Sequence, residues 1–275
     1  MKVWIAGQNG LLGQACRKAL KGELCIGTSR VDLDMTDRKA VRRFVDEHEP
    51  THLINCSGFT GVDLAEYNKE AAHAINAQAV EEMGKLGIKV LHFSTDYVFG
   101  GTKRSSYSIH DTPAPLSVYG MTKLRGEQRL LDVNPKACVV RTAWLFGHGR
   151  PNFVSQMMEL MQKNKVVRVI EDQIGSPCYA DDIAEAAVGL LNAHGLHHVV
   201  NSGVASRLDW AKSIHEQMLK RGMECMCEQI EPAQSREFLS DARRPAYSAL
   251  DGINLRHWKE ALECFMEQEA LCPVA

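Results

Sequence analysis

Tyr119 and Lys123 stand four residues apart in the stretch YGMTKLRGE. If residues 118–131 are helical, both side chains leave the same face, one turn apart. An unperturbed phenol titrates at about 10, too high to trade a proton readily at neutral pH, and a fixed ammonium nearby brings that value down. Such a pair can exchange a proton with a substrate oxygen. By itself it is also a common accident of helix surfaces, so its meaning depends on what else converges on it. The apolar run KVLHFS ends in Ser94, Thr95, Asp96 and Tyr97. In a parallel sheet these would stand at a carboxyl edge, where ligands bind, and would offer hydroxyl groups to a reacting oxygen.

A second feature stands near the start of the chain. Gly7, Gly10 and Gly13 follow the run KVWIA directly. Glycines at a first strand-to-helix turn let backbone N–H groups and a helix N-terminus approach a pyrophosphate. A glycine-rich turn without a ligand is the plainer alternative, but the position at the first such junction of the chain favours a dinucleotide. Where the second strand should end, GTSR places Ser29 and Arg30 rather than an acid that would grip a ribose 2′-hydroxyl. A guanidinium there suits a 2′-phosphate, which favours NADP(H) over NAD(H). Asp32 and Asp34 follow closely and argue the other way, and Arg30 could be an ordinary loop charge.

The elements that must position these groups are legible as β-branched runs (KVWIA, LCIGT, HLINC, KVLHFS, CVVRTA) separated by amphipathic segments such as DRKAVRRFVDEH. Alternating strand and helix predicts an α/β chain with a Rossmann-like, doubly wound parallel sheet. The pattern loosens after residue 145. We expect a dinucleotide-binding domain over 1–145, to which parts of 180–202 return, and a smaller C-terminal substrate-binding lobe within 146–275. The methionines at 157–161 read as core filling, and the tail from 261 reads as a short amphipathic helix with a frayed end.

The 275 residues suffice for such an architecture, and 34 acidic against 32 basic side chains leave a net charge of −2. That balance creates no field suited to nucleic acid or an anionic membrane, so a small molecule is the expected partner. The nine cysteines are scattered without zinc spacing, which fits reduced thiols in a cytoplasmic protein. The N-terminal apolar run is too short for a signal sequence or a membrane span.

Taken in order, these features resemble the extended short-chain dehydrogenase/reductase family, and within it the reductases of dTDP-linked 4-keto-6-deoxy sugars. The resemblance is carried by GQNGLLGQ, INCSGFTGVDLAE, INAQA, FSTDYVFGG, YGMTKLRGE, RTAWLFG, EDQIGSP and RRPAYSAL. It implies that Tyr119 donates the proton, that Lys123 holds the nicotinamide ribose and tunes Tyr119, and that Thr95 bonds the reacting sugar oxygen. Gly10, Leu11 and Leu12 would lie under the pyrophosphate, Asp34 and Met35 near the adenine, and Gly58, Phe59 and Thr60 along the ribose side. Val62, Asp96, Tyr97 and Trp144 would touch a dTDP-sugar substrate. Asp172, Gln173, Gly175, Pro177, Arg244 and Pro245 would belong to the closing lobe, with Arg244 answering the diphosphate. Asn76 reads as a tie between helix and sheet rather than as a catalytic group. Leu64, Gly100 and Ile109 depart from the family's usual residues. Some members use a metal at a dimer contact; the sequence shows no ligand set for Mg and leaves a homodimer open. Alternatives sharing the fold are a sugar-nucleotide epimerase or dehydratase, and a non-catalytic regulatory subunit like that of methionine adenosyltransferase.

Overall fold

The computed structural model describes residues 1–271; Cys272 and the rest of the tail lie outside the described residues. Seven strands form the central sheet: β1 (Lys2–Ala6), β2 (Leu24–Thr28), β3 (His52–Asn55), β4 (Lys89–Thr95), β5 (Cys138–Thr142), β6 (Gly195–Ser202) and β7 (Ile253–His257). Their order is β7-β6-β5-β4-β3-β1-β2, and every pairing is parallel. The chain runs outward from β1 to β2 and then returns past β1 to β3. That reversal opens a crevice beyond the carboxyl ends of β1 and β3, where doubly wound sheets bind ligands.

The β-branched runs become strands because both faces of a parallel sheet are covered. Within β1, Val3 and Ile5 join one apolar cluster, with Leu12 and Cys16 of α1 (Leu11–Ala19) and with Ile183 and Ala184 of the helix Ala180–Gly189. Trp4 and Ala6 join the opposite cluster with Val41 and Val45 of α2 (Arg38–His48). This is the alternation that a period of two dictates. The seventh strand, INLRH, is not evident from its composition: one charge and one histidine in five residues blunt its apolar pattern.

A third cluster lies apart from the sheet faces and gathers Phe146, Met157, Met161, Trp210, Trp258 and Phe265. It is built by the helices Phe153–Lys163, Arg207–Lys220 and Trp258–Leu271 and by the parallel ladder of Val166–Ile170 with Gln229–Ala233. Met157 and Met161 fill this core, as their spacing suggests. Among the described residues, no helix is long and apolar enough to cross a membrane.

The helix bearing Tyr119 and Lys123, α3 (Val118–Val133), is capped by Ser117, whose hydroxyl accepts from the Gly120 N–H at 3.2 Å. Its two glycines have steric reasons. A Cβ at Gly120 would stand 2.2 Å from the Tyr97 carbonyl oxygen, and one at Gly126 would stand 2.0 Å from that of Asn76. The helix is therefore pressed against the turn after β4 and against the helical run across from it. Glu127 fastens it to β5 through a fully buried pair, accepting from Arg141 Nε at 2.9 Å and Nη2 at 2.6 Å.

Candidate active site

A cleft of about 1050 Å³ follows the carboxyl edge of the sheet. Its walls include Gly7, Gly10, Leu11, Leu12, Ser29, Arg30, Asp34, Met35, Gly58, Phe59, Thr60, Val62, Thr95, Asp96, Tyr97, Tyr119 and Trp144. Residues from seven separate stretches thus meet on one surface. Gly13, Lys123 and Arg244 are not in that wall.

The glycine turn is tightly built. Gly7 has φ +82°, and a Cβ there would lie 2.8 Å from the Cys56 backbone. A Cβ at Gly13 would stand 2.2 Å from the Gly7 carbonyl oxygen, so Gly13 seats α1 on the turn and does not face the cleft. Gly10, by contrast, has only one contact, at 3.4 Å, and precedes α1 as its N-cap with no side chain capping it. The first turn of α1 carries no acid. Free N–H groups at the positive end of a helix, beside a glycine that keeps the approach open, suit a pyrophosphate.

The acids near the end of β2 are occupied. Asp32 accepts from Ser29 N–H at 2.8 Å and Ser29 Oγ at 2.7 Å, and Asp34 accepts from Thr36 N–H at 2.9 Å and Thr36 Oγ1 at 2.8 Å. These bonds hold both carboxyls below their usual pKa, with Ser29 and Thr36 the leading causes. Asp32 is outside the cleft wall, while Arg30 is in it and exposed.

At the other end, Thr95 Oγ1 donates to Asp96 Oδ1 at 3.0 Å and accepts from Tyr97 N–H at 3.2 Å. Asp96 also accepts from Ser248 Oγ at 2.5 Å. Burial nonetheless lifts its pKa to about 6, against the pull of Ser248, Thr95 and Arg207. Ser94 Oγ and Thr142 Oγ1 are buried at the ends of β4 and β5, line the cleft and have no hydrogen-bond partner among the described residues. Orphaned hydroxyls in a cleft wall fit a ligand with polar edges, and a nicotinamide meets that description.

Lys123 departs from the expected arrangement. Its Nζ donates to the Phe93 carbonyl at 2.6 Å and lies 3.2 Å from His92 Nε2; no hydrogen bond joins it to Tyr119. Burial brings its pKa down to about 8, opposed by the charges of Glu127 and Cys56. Tyr119 is itself pushed above the usual phenol range by burial, and the group that pulls it back is the Thr95 hydroxyl, not the ammonium. The pair lies one turn apart on α3, but in this state Lys123 is turned toward the sheet.

Asn76 is buried in a π-helical turn, Ala74–Gln78. Its Oδ1 accepts from Phe59 N–H at 2.8 Å, and its Nδ2 donates to the Phe59 carbonyl at 3.1 Å and to Thr122 Oγ1 at 3.1 Å. It thus ties the Phe59 wall of the cleft to the helix between Tyr119 and Lys123.

Trp144 has φ +36°, a left-handed conformation that bulky residues rarely adopt and that marks functional positions. Its indole fits because position 175 is glycine: a Cβ there would stand 2.3 Å from the ring. Arg244 is taken up by Asp63, with Nη2 to Oδ2 at 2.6 Å and Nη1 to Oδ1 at 3.0 Å, and the pair holds Asp63 at a pKa of about 2. Sequence reading missed Arg207 and Arg150, both in the wall. The departures at Leu64, Gly100 and Ile109 all fall outside the wall, and Leu64 and Ile109 are exposed. Among the described residues, no group of His, Cys, Asp and Glu is placed to hold a metal.

The family described as RmlD substrate binding domain matches residues 1–270. A dTDP-4-dehydrorhamnose reductase of Mycolicibacterium smegmatis is 37% identical over 95% of this chain and 84% of its own. A dTDP-4-keto-6-deoxy-D-glucose reductase of Streptomyces niveus is 35% identical over 94% of each chain. The crystal structure of dTDP-4-dehydrorhamnose reductase from Bacillus anthracis in complex with NADP is 32% identical, covers 98% of this chain and 100% of that one, and superposes with a TM-score of 0.91. With the fold, the glycine turn and the strand-end hydroxyls all in place, this chain belongs to the dTDP-4-dehydrorhamnose reductase (RmlD) family.

Proposed function

We propose that the protein reduces the 4-keto group of dTDP-4-dehydro-6-deoxy-L-mannose to give dTDP-L-rhamnose, using NADPH in preference to NADH. The observation that carries this reading is the convergence of Thr95 and Tyr119 at the carboxyl edge of the sheet, in one cleft with an uncapped helix N-terminus. The nicotinamide, when bound, supplies the hydride. Ser94 and Thr142 would receive its polar edge, Gly10, Leu11 and Leu12 its pyrophosphate, and Ser29 and Arg30 the 2′-phosphate. Asp34, Met35, Gly58, Phe59 and Thr60 line the rest of its path.

The chain's own part in the chemistry is to hold the ketone and to protonate the new alkoxide. A phenol whose pKa is raised by burial is reliably protonated at neutral pH, which suits Tyr119 as the donor. Thr95, whose hydroxyl turns to Asp96, would bond the same substrate oxygen. Lys123 keeps a positive charge one helical turn away. Val62, Asp96, Tyr97 and Trp144 would frame the sugar, and the lobe expected within residues 146–275 would cover the nucleotide.

A second reading, reduction of a different dTDP-4-keto-6-deoxy sugar, draws support from the Streptomyces niveus relative. The deciding experiment follows NADPH consumption with each keto-sugar in turn. We expect turnover with dTDP-4-dehydro-6-deoxy-L-mannose, lost by about 10²- to 10⁴-fold in Tyr119→Phe, with NADPH affinity unchanged. Full activity in that variant would refute the role of Tyr119, and absence of turnover in the wild type would refute the substrate.

A further inference from the structure

Two arginines stand near the catalytic end of the cleft, and they differ in one respect. Arg244 is neutralised by the bidentate contact to Asp63 and is outside the wall. Arg207 is in the wall, half-buried, and the side chains it meets as hydrogen-bond partners are uncharged: Nε donates to Gln173 Oε1 at 3.0 Å, and the Tyr97 phenol lies beside the guanidinium. Its guanidinium lies 4.4 Å from the ring centre of Trp144 and 5.2 Å from that of Phe153. No carboxylate forms an ion pair with it among the described residues. Asp96 lies within its electrostatic reach, but the oxygens of Asp96 are held by Ser248 and Thr95, and Asp209 in the same helical turn is held by Ser206.

A cation brought into a low-dielectric wall without a counter-ion is costly, and aromatic faces and one amide offset only part of that cost. An anion bound there would supply the missing counter-charge. On the function proposed above, the cofactor's own phosphates go to the N-terminus of α1 and to Arg30.

We infer that Arg207 is the anchor for the diphosphate of the nucleotide-sugar substrate, held in place by the rings of Trp144 and Phe153 and by Gln173. This rests on the function proposed above. A hexose linked through C1 to a diphosphate puts its first phosphate one ring's width from the C4 oxygen. Arg207 lies against Trp144 and Tyr97, and the Tyr97 ring packs edge-on against Tyr119 with centroids 5.9 Å apart. The planar guanidinium, already oriented by stacking, can then offer its remaining N–H groups to phosphate oxygens.

The test is calorimetric titration of the NADP⁺-saturated protein with dTDP, thymidine and inorganic pyrophosphate, for the wild type, Arg207→Met, Arg207→Lys and Arg244→Met. Saturation with cofactor closes the other phosphate site to the probes. The expected result for Arg207→Met is a loss of about 10- to 100-fold in dTDP affinity with thymidine and NADP⁺ binding unchanged. Arg207→Lys should recover part of the loss, and Arg244→Met should cost less than Arg207→Met. An unchanged dTDP affinity in Arg207→Met overturns the inference. So does an equal loss for thymidine, which would mean that the aromatic wall had merely rearranged, and so does a wild type that binds no diphosphate. Pyrophosphate binding that depends on Arg207, without preference for dTDP and without turnover, would uphold Arg207 while refuting the proposed substrate.

Discussion

The carboxyl of Asp96 offers the sharpest quantitative test, because the fold carries it at a cost that depends on pH. Asp96 is 2% exposed and its pKa stands at about 6, against an ordinary value of 3.8, with burial the leading cause. A carboxyl whose pKa is raised on folding binds its proton more tightly in the folded chain than in the unfolded one. Its contribution to stability is therefore greatest below pH 3.8 and is lost as pH rises through 6. Roughly two units at about 1.36 kcal/mol each put the whole effect at about 3 kcal/mol. Between pH 8 and pH 5 only the first unit below the folded value is collected, about 1.4 kcal/mol. In Asp96→Asn this term is absent, while the other titrating groups remain. The melting temperature of the variant relative to the wild type should therefore be higher at pH 8 than at pH 5, by about 3–6 °C for a chain of this size. Comparing the two proteins across pH cancels whatever the substitution does to the bonds from Ser248 and Thr95. Thermal melts without ligand, at both pH values, are the assay. A difference that does not change with pH, or that grows toward pH 5, would refute the reasoning.

Two other perturbations address the cofactor side. Asn76→Ala removes three hydrogen bonds and leaves the Phe59 N–H without its acceptor, which should cost about 2–4 kcal/mol and lower the melting temperature by about 5–10 °C. NADPH should bind more weakly as well, and a variant that melts and binds like the wild type would show the tie to be idle. Arg30→Ala should weaken NADPH by about tenfold while leaving NADH nearly unchanged, as measured by fluorescence titration of both cofactors. Equal effects on the two cofactors would make Arg30 a loop charge.

Much of this molecule was legible before its fold. The five β-branched runs become the first five strands: those inside the sheet are covered on both faces and are mostly apolar, and no distant contact has to be known to see it. The glycine turn at Gly7 and the spacing of Tyr119 and Lys123 are likewise local, since a turn type and a helical period are set by neighbours in sequence. Tertiary structure decided the rest. Whether Arg244 or Arg207 is available to an anion depends on Asp63, 181 residues from Arg244, and on Arg207 having no carboxylate ion pair among the described residues. The direction in which Lys123 points was set by His92 and Phe93 on a neighbouring strand, and the pKa of Tyr119 by how deeply α3 is pressed into the molecule. The type and spacing of a side chain determine what it can do. Its charge state and its partners are properties of the space around it, and that space exists only once the chain has packed.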